Sequence, residues 1–216
     1  KTYINGILAF VERGIKMKKI IFATTNQGKV REVKMMMEDF GVDFVTMKDA
    51  GIDIDIVEDG KTFEENAIIK AKTIMEATGE IALADDSGLE VDYLDGAPGI
   101  YSARFLGEDT PYDEKNKYII EKLKDAKGKE RSARFVCAMA VAFPNGEIET
   151  CRGTIEGLIG YEQKGKNGFG YDPIVYVPEY EMTTGEMAPE LKNSISHRGK
   201  ALEQMKEILK RKLDLN

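Results

Sequence analysis

Along this chain the apolar residues switch repeatedly between the two-residue spacing of a strand and the 3.6-residue spacing of a helix. A strand is predicted over Lys18 to Ala23. A helix follows from about Gly28 to Phe40, with Val30, Val33, Met37 and Phe40 on one face and Gly41 as its stop. A second strand, Val42 to Met47, leads through the acidic stretch Asp53 to Asp59 to Thr62-Phe-Glu-Glu65, a capping box for a helix reaching about Thr78 before Gly79. Ile81 to Ala84 reads as a short apolar strand that delivers Asp85-Asp86-Ser87-Gly88, and Leu89 to Leu94 as another.

The turn-rich Asp95 to Gly99 comes next, then a helix over Tyr112 to Ala126. Arg131 to Phe143 and Ile148 to Leu158 flank Pro144-Asn-Gly146, a strong hairpin signal between long strands. Gly165 to Gly170 forms a loop before a short strand, Ile174 to Val177. Ser196 caps a last helix whose Ala201, Leu202, Met205, Ile208 and Leu209 make one stripe. The pattern is that of one α/β domain with a mixed sheet. Residues 1 to 16 precede Met17 and the first strand, and are read as an extension outside the core; residues 17 to 216 form the single domain.

Composition narrows the function. A chain of 216 residues with 42% hydrophobic content can bury its own core. A formal net charge of -7 argues against a nucleic-acid polymer as partner, so a phosphate ligand must be gripped by a few local cations. Cys137 and Cys151 have no CxxC spacing and read as free thiols. The apolar run Gly6 to Val11 is too short to span a bilayer, and a cytoplasmic protein without membrane partners is expected.

Six segments could carry chemistry. Thr24-Thr25-Asn26-Gln27-Gly28-Lys29 lies where a strand ends and a helix begins, so backbone N–H groups, hydroxyls and a lysine converge as a phosphate loop, without the spacing of a Walker A motif. Asp85 and Asp86 can hold a cation or order a water, and Glu58 can join Asp86 around a hard ion that also takes phosphate oxygens. Lys70 and Lys192 matter only if the fold brings them to the same cleft. In Phe169-Gly170-Tyr171-Asp172 an aromatic ring beside glycines can stack on a base, and the carboxylate can accept from ring N–H groups. His197 and Arg198 open the last helix as donors for a carbonyl oxygen such as the 6-keto group of inosine. Taken singly, each segment also has an ordinary structural reading, from a capped helix start to a solvated acidic loop.

Together they resemble the Ham1-type nucleoside triphosphate pyrophosphatases, the RdgB or inosine triphosphatase family. The motifs stand in that family's order: Thr24 to Lys29, Glu64-Glu-Asn-Ala67 before Lys70, Ala84-Asp-Asp-Ser-Gly88, Gly96-Ala-Pro-Gly-Ile-Tyr-Ser-Ala-Arg104, Gly168-Phe-Gly-Tyr-Asp172 and Ser196-His-Arg-Gly199. The resemblance implies an elongated, two-lobed α/β fold with a long central mixed sheet flanked by helices, and a homodimer. It implies Mg2+, or a similar divalent ion such as Mn2+. It also implies hydrolysis of non-standard purine nucleoside triphosphates (ITP, dITP, XTP) to the monophosphate and pyrophosphate.

Carried over by position, Asp86 is the catalytic carboxylate and a metal ligand, with Asp85 as an alternative for positioning water. Glu58 is the second ligand, for which Asp59 and Asp55 are alternatives, and Ser87 is a substrate contact. Thr24 to Lys29, Lys70 and Lys192 grip the triphosphate; Phe169 to Asp172, His197 and Arg198 form the base pocket. The rival functions are a Maf-like pyrophosphatase acting on pyrimidine or modified nucleotides, and a nucleotide-binding module without turnover.

Overall fold

Period-two alternation in the first strand divides its side chains between two cores. In the computed structural model, which describes residues 17–215, β1 (Lys19–Phe22) turns Ile20 and Phe22 to one face and Ile21 to the other. The proposed extension, residues 1–16, lies outside the described residues. The sheet has seven strands in the order β2-β1-β3-β4-β5-β6-β7: β2 (Asp43–Thr46), β3 (Ile81–Val91), β4 (Ser132–Ala142), β5 (Ile148–Ile159), β6 (Val175–Val177) and β7 (Met182–Thr183). The pairs β2-β1 and β1-β3 are parallel, and every later pair is antiparallel, so the sheet is mixed.

Three cores line it. On one face, Val30, Val33 and Met37 of α1 (Gln27–Met37) and Ala201, Leu202, Met205 and Leu209 of α5 (His197–Leu213) pack on Ile20, Phe22, Leu83 and Met139. On the other, α2 (Phe63–Thr78) lays Phe63, Ala67, Ala71 and Ile74 on a floor of small residues, Ala82, Ala84, Ala138 and Ala140. The third core, around Leu89, Phe135, Ile155 and Ile174, lies toward the other end of the long strands and is covered by Ile119 of α3 (Tyr112–Lys122) and by Leu123. Strands β3, β4 and β5 run from the first two cores into the third and so form the spine of two lobes.

Three expectations shift, and one helix was not foreseen. The residues Asp85 to Gly88 do not interrupt two strands: β3 is continuous, and Asp85 to Gly88 pair with Met139 to Val136 of β4. Aspartates and glycine are poor strand formers, but here each carboxylate has a cation to meet it, so tertiary contacts override propensity. The helix expected to run to Ala126 stops at Lys122, because the carbonyls of Leu123 and Ala126 turn to accept from Nη1 of the buried Arg131. The capping box over Thr62 is half formed: Thr62 accepts from the Glu65 N–H, while the Glu65 carboxylate reaches the amide of Lys61. Finally, α4 (Pro189–Ile195), seven residues long, was too short to declare itself by periodicity.

Candidate active site

Beyond Leu83, strand β3 loses its parallel neighbour. β1 pairs only with Ile81 to Leu83, so the edge of β3 that carries Asp85 to Gly88 opens onto a cleft at the carboxyl end of β1. The cleft has a volume of about 380 Å³. It draws residues from both lobes: Thr24, Thr25, Asn26 and Lys29 after β1, Glu58 and Lys70 around α2, Asp86 and Ser87 on β3, Phe169 to Asp172 in the glycine-rich loop, and Lys192, His197 and Arg198.

The two aspartates face opposite sides of the strand, as neighbours on an extended chain must. Asp86 turns toward α2, where its Oδ1 lies 3.2 Å from Lys70 Nζ and its Oδ2 accepts from Asn66 Nδ2 at 3.2 Å. Burial pushes the Asp86 carboxyl up; Lys70 and Lys29 pull it down, Glu58 and Asp85 add to the rise, and the balance is a raised pKa. Lys70 also reaches Glu58 Oε2 at 2.7 Å. Burial lowers its pKa, but Asp86, Asp85 and Glu58 outweigh this and keep it charged.

Glu58 and Asp55 both line the cleft, and Glu58 is the one that pairs with Lys70 beside Asp86. From Ile52 to Glu58 the extended segment alternates, with Ile52, Ile54 and Ile56 packed on the second core and Glu58 continuing the inward series, while Asp53, Asp55 and Asp59 are exposed. Two carboxylates therefore converge on one point of positive charge. That donor set suits a hard cation that takes its other ligands from phosphate and water. Among the described residues no group of three or more His, Cys, Asp or Glu side chains comes together to cage a metal by protein alone.

Asp85 faces the other way and is fully enclosed. Its Oδ2 lies 3.1 Å from Lys29 Nζ and accepts from Nε and Nη2 of Arg198, both at 3.3 Å; Oδ1 has no partner. Burial alone would raise its pKa, but Lys29, Arg198 and Lys70 hold the carboxyl far below the ordinary range. Asp85 does not line the cleft, so its expected part in positioning water gives way to a different one: it anchors two cations.

In the loop after β1 Asn26 caps α1, its Oδ1 accepting from the amides of Gly28 at 2.9 Å and Lys29 at 3.1 Å. Those two donors are therefore spent on the cap, and the loop presents side chains to the cleft instead of a row of free amides. Gln27 is exposed and donates to Thr25 O, away from the cleft lining. Gly28 lies under the Phe169 ring, where an added Cβ would sit 2.6 Å from ring carbons. The absence of a side chain lets the ring pack against the start of the helix.

The far end of the cleft is built around that ring. Lys192 Nζ lies 5.1 Å, and Arg198 Cζ 5.6 Å, from its centroid. Asp172, expected to face a base, is 2% exposed; it accepts from Phe169 N, Thr184 Oγ1 and Lys192 Nζ, so it staples the loop. Tyr171 is buried in the cleft lining and donates to Ser102 O at 2.7 Å, which fixes the wall there. Its neighbour Gly170 borders the opening.

His197 stacks on Phe135 at 4.8 Å. Burial, then Arg198 and Lys192, push its pKa well down, so the ring is neutral, and its Nδ1 has no partner in the protein. Arg198 donates Nη1 to Glu32, Nε and Nη2 to Asp85, and Nη2 to Ser87 Oγ at 2.8 Å, which leaves one of its five N–H groups unspent.

Glu32 is the member that sequence reasoning passed over. It bridges Lys192 at 2.6 Å and Arg198 at 2.5 Å, and although burial raises its pKa, Arg198 and Lys192 bring it below the usual value. Its position three residues after Lys29 on a helix was the available signal, since that spacing puts both on one face. Asn66, named in the Glu64 to Ala67 motif without a role, ties Gly60 N to Asp86, one turn before Lys70. Both cysteines are free thiols, Cys137 buried and Cys151 half-buried. No helix among the described residues is long and apolar enough to cross a membrane.

A sequence profile of the Ham1 family matches residues 20–208. A Clostridium perfringens protein named dITP/XTP pyrophosphatase is 49% identical over 200 residues, 90% of this chain and 98% of the relative. A protein of the same name from Desulforamulus reducens is 50% identical over 193 residues, 89% of this chain and 96% of the relative. Among solved structures, a HAM1 protein from Coxiella burnetii aligns with a TM-score of 0.82 at 42% identity, covering 90% of this chain and all 100% of that one.

Proposed function

The chain belongs to the Ham1 family, and we propose that it hydrolyses non-standard purine nucleoside triphosphates, ITP, dITP and XTP, to the monophosphate and pyrophosphate. The observation that carries this reading is one cleft holding, side by side, an acid pair for a hydrated cation, a cluster of cations for phosphates and an aromatic ring for a base. Relatives that the chain matches nearly end to end are named dITP/XTP pyrophosphatases, which does not favour a Maf-like activity or a silent binding module.

Glu58 and Asp86 would hold a divalent cation, proposed to be Mg2+, which supplies charge neutralisation to the phosphates when bound. Asp86 accepts the proton of the attacking water; it lines the cleft, whereas Asp85 is fully enclosed and spent on Lys29 and Arg198. The water oxygen bonds to the α-phosphorus, the α–β bridging bond breaks with its electron pair, and pyrophosphate leaves. Lys29, Lys70 and Lys192, with the hydroxyls of Thr24, Thr25 and Ser87 and the Asn26 amide, meet phosphate charge from fixed positions. The base stacks on Phe169, and the unspent Arg198 N–H, with the neutral His197, meets the 6-keto oxygen. An amino group at that position would set donor against donor.

Release of pyrophosphate, as opposed to orthophosphate, from ITP, dITP and XTP with Mg2+ tests the reading. Preference for dTTP or UTP would replace it with a Maf-like activity, and nucleotide binding without turnover with a sensing role. A homodimer acting in the cytoplasm is part of the proposal, checked by sizing and by fractionation of the source cells.

A further inference from the structure

The cations of the cleft are nearly all committed. Lys29 pairs with Asp85, Lys70 with Glu58 and Asp86, Lys192 with Glu32 and Asp172, and Arg198 with Glu32 and Asp85. Four cations thus meet five carboxylates, and the network carries one negative charge in excess. A triphosphate entering such a site meets no surplus positive charge from these residues.

The exception among the lining residues is Arg104, which enters from the facing lobe. It is exposed, and among the described residues no carboxylate lies within ion-pair distance of its guanidinium. Its one recorded side-chain partner is the Tyr101 ring, 4.9 Å away. The backbone just before it is pinned by buried groups: Ser102 O accepts from Tyr171 Oη at 2.7 Å, and Ala103 O from Lys115 Nζ at 2.6 Å. Ser102 Oγ in turn accepts from the amide of Leu89 on β3 at 2.9 Å. Two consecutive carbonyls held in this way fix the root of Arg104 at the cleft wall while its tip stays free to turn.

Resting on the triphosphate reading above, we propose that Arg104 is the uncommitted cation of the site, swinging from Tyr101 onto the β- and γ-phosphates, the part of the substrate that leaves as pyrophosphate. The stacked resting position suits this role, because a guanidinium on an exposed ring gives up little when it leaves for a phosphate, whereas Lys70 or Arg198 would have to abandon buried carboxylates.

The full-length enzyme with Mg2+ is assayed as wild type, Arg104→Ala, Arg104→Lys and Arg104→Glu, with unfolding midpoints to confirm that each folds. The expected result is a fall in kcat/KM for ITP of about 10- to 100-fold in Arg104→Ala, partial recovery in Arg104→Lys and a deeper loss in Arg104→Glu. The inhibition constant for pyrophosphate rises by a similar factor, while that for IMP stays within about twofold. An Arg104→Ala enzyme within twofold of wild type on ITP overturns the inference. So does a loss of IMP affinity as large as the loss for ITP, which would put the contact on the nucleoside or α-phosphate.

If wild type prefers another triphosphate, the substrate reading fails; the contrast between that triphosphate and its monophosphate still decides the role of Arg104. If it turns over none, calorimetric binding of pyrophosphate to wild type and Arg104→Ala decides it: a loss of affinity supports the contact and equal affinity removes it.

Discussion

Replacing Asp85 by asparagine removes a buried anion without changing its shape. The carboxylate is fully enclosed, and one oxygen meets both Lys29 and the Nε and Nη2 of Arg198. Breaking a buried pair by removing one partner costs ~3–5 kcal/mol, since the other charge stays behind. Two features put this site at the low end. Arg198 retains Glu32, and the Lys29 side chain keeps 12% of its exposure and can turn to solvent. The expected loss is therefore about 3 kcal/mol, which for a chain of this size lowers Tm by roughly 6–12 °C.

The pH dependence has a definite sign. Because the folded carboxyl lies far below its ordinary value of 3.8, the native state favours the charged form. The contribution is complete above that ordinary value and is lost as the pH falls below it toward the depressed native value. Urea unfolding of wild type and Asp85→Asn should thus differ by a constant amount from pH 8 to about pH 5, and the gap should close in stronger acid. A difference under about 1 kcal/mol at pH 7, or a gap that widens on acidification, would refute the assignment of Asp85 as an anchor for cations.

The neighbouring substitution should behave oppositely. Asp86→Asn is expected to lower kcat by orders of magnitude while leaving neutral-pH stability equal to or above wild type, because a raised native pKa means that the charged form opposes folding above the acid range; kinetics paired with calorimetry check both. Gly28→Ala should displace the Phe169 ring, costing about 1–3 kcal/mol of stability and raising KM for ITP roughly tenfold with a smaller change in kcat. Arg198→Lys keeps the charge but loses the fork, so the ITP-to-ATP ratio of kcat/KM should drop at least about tenfold, mainly through loss on ITP.

Much of this architecture was legible from spacing. The hairpin at Pro144-Asn-Gly146, the capped helices after Asn26, Thr62 and Ser196, and the alternation in β1 all rest on local rules that the fold obeys. The readings that moved share one cause. Asp85 to Gly88 look like a turn to any local rule, yet they form the middle of an eleven-residue strand because Lys29, Lys70 and Arg198, distant in sequence, meet their charges. Asp172 and Tyr171 line the cleft as their place in the loop suggests, but local rules could not show that their polar atoms also meet Thr184, Lys192 and Ser102, 12 to 69 residues away. Spacing could gather candidates; it could not divide them into groups that face the cleft and groups that hold those in place.

That division follows from the pleat of a single strand. Side chains at odd and even positions of β3 go to opposite faces, so Asp85 is sealed with the α1 and α5 side and Asp86 with α2. Had the pair stood in a turn, both carboxylates would have shared one solvent environment and similar pKa values, and each would have been a weak base at neutral pH. On a strand, one is driven deep into the charged state, where it fixes Lys29 and Arg198, and the other faces the cleft beside Lys70 and Glu58. The strand ladder therefore gives two identical side chains different surroundings, one as an anchor for cations and the other as the proposed base. A one-residue slip of β3 would exchange their surroundings, so the Asp86-to-Ala138 register is as much a requirement of the proposed chemistry as the carboxylate itself.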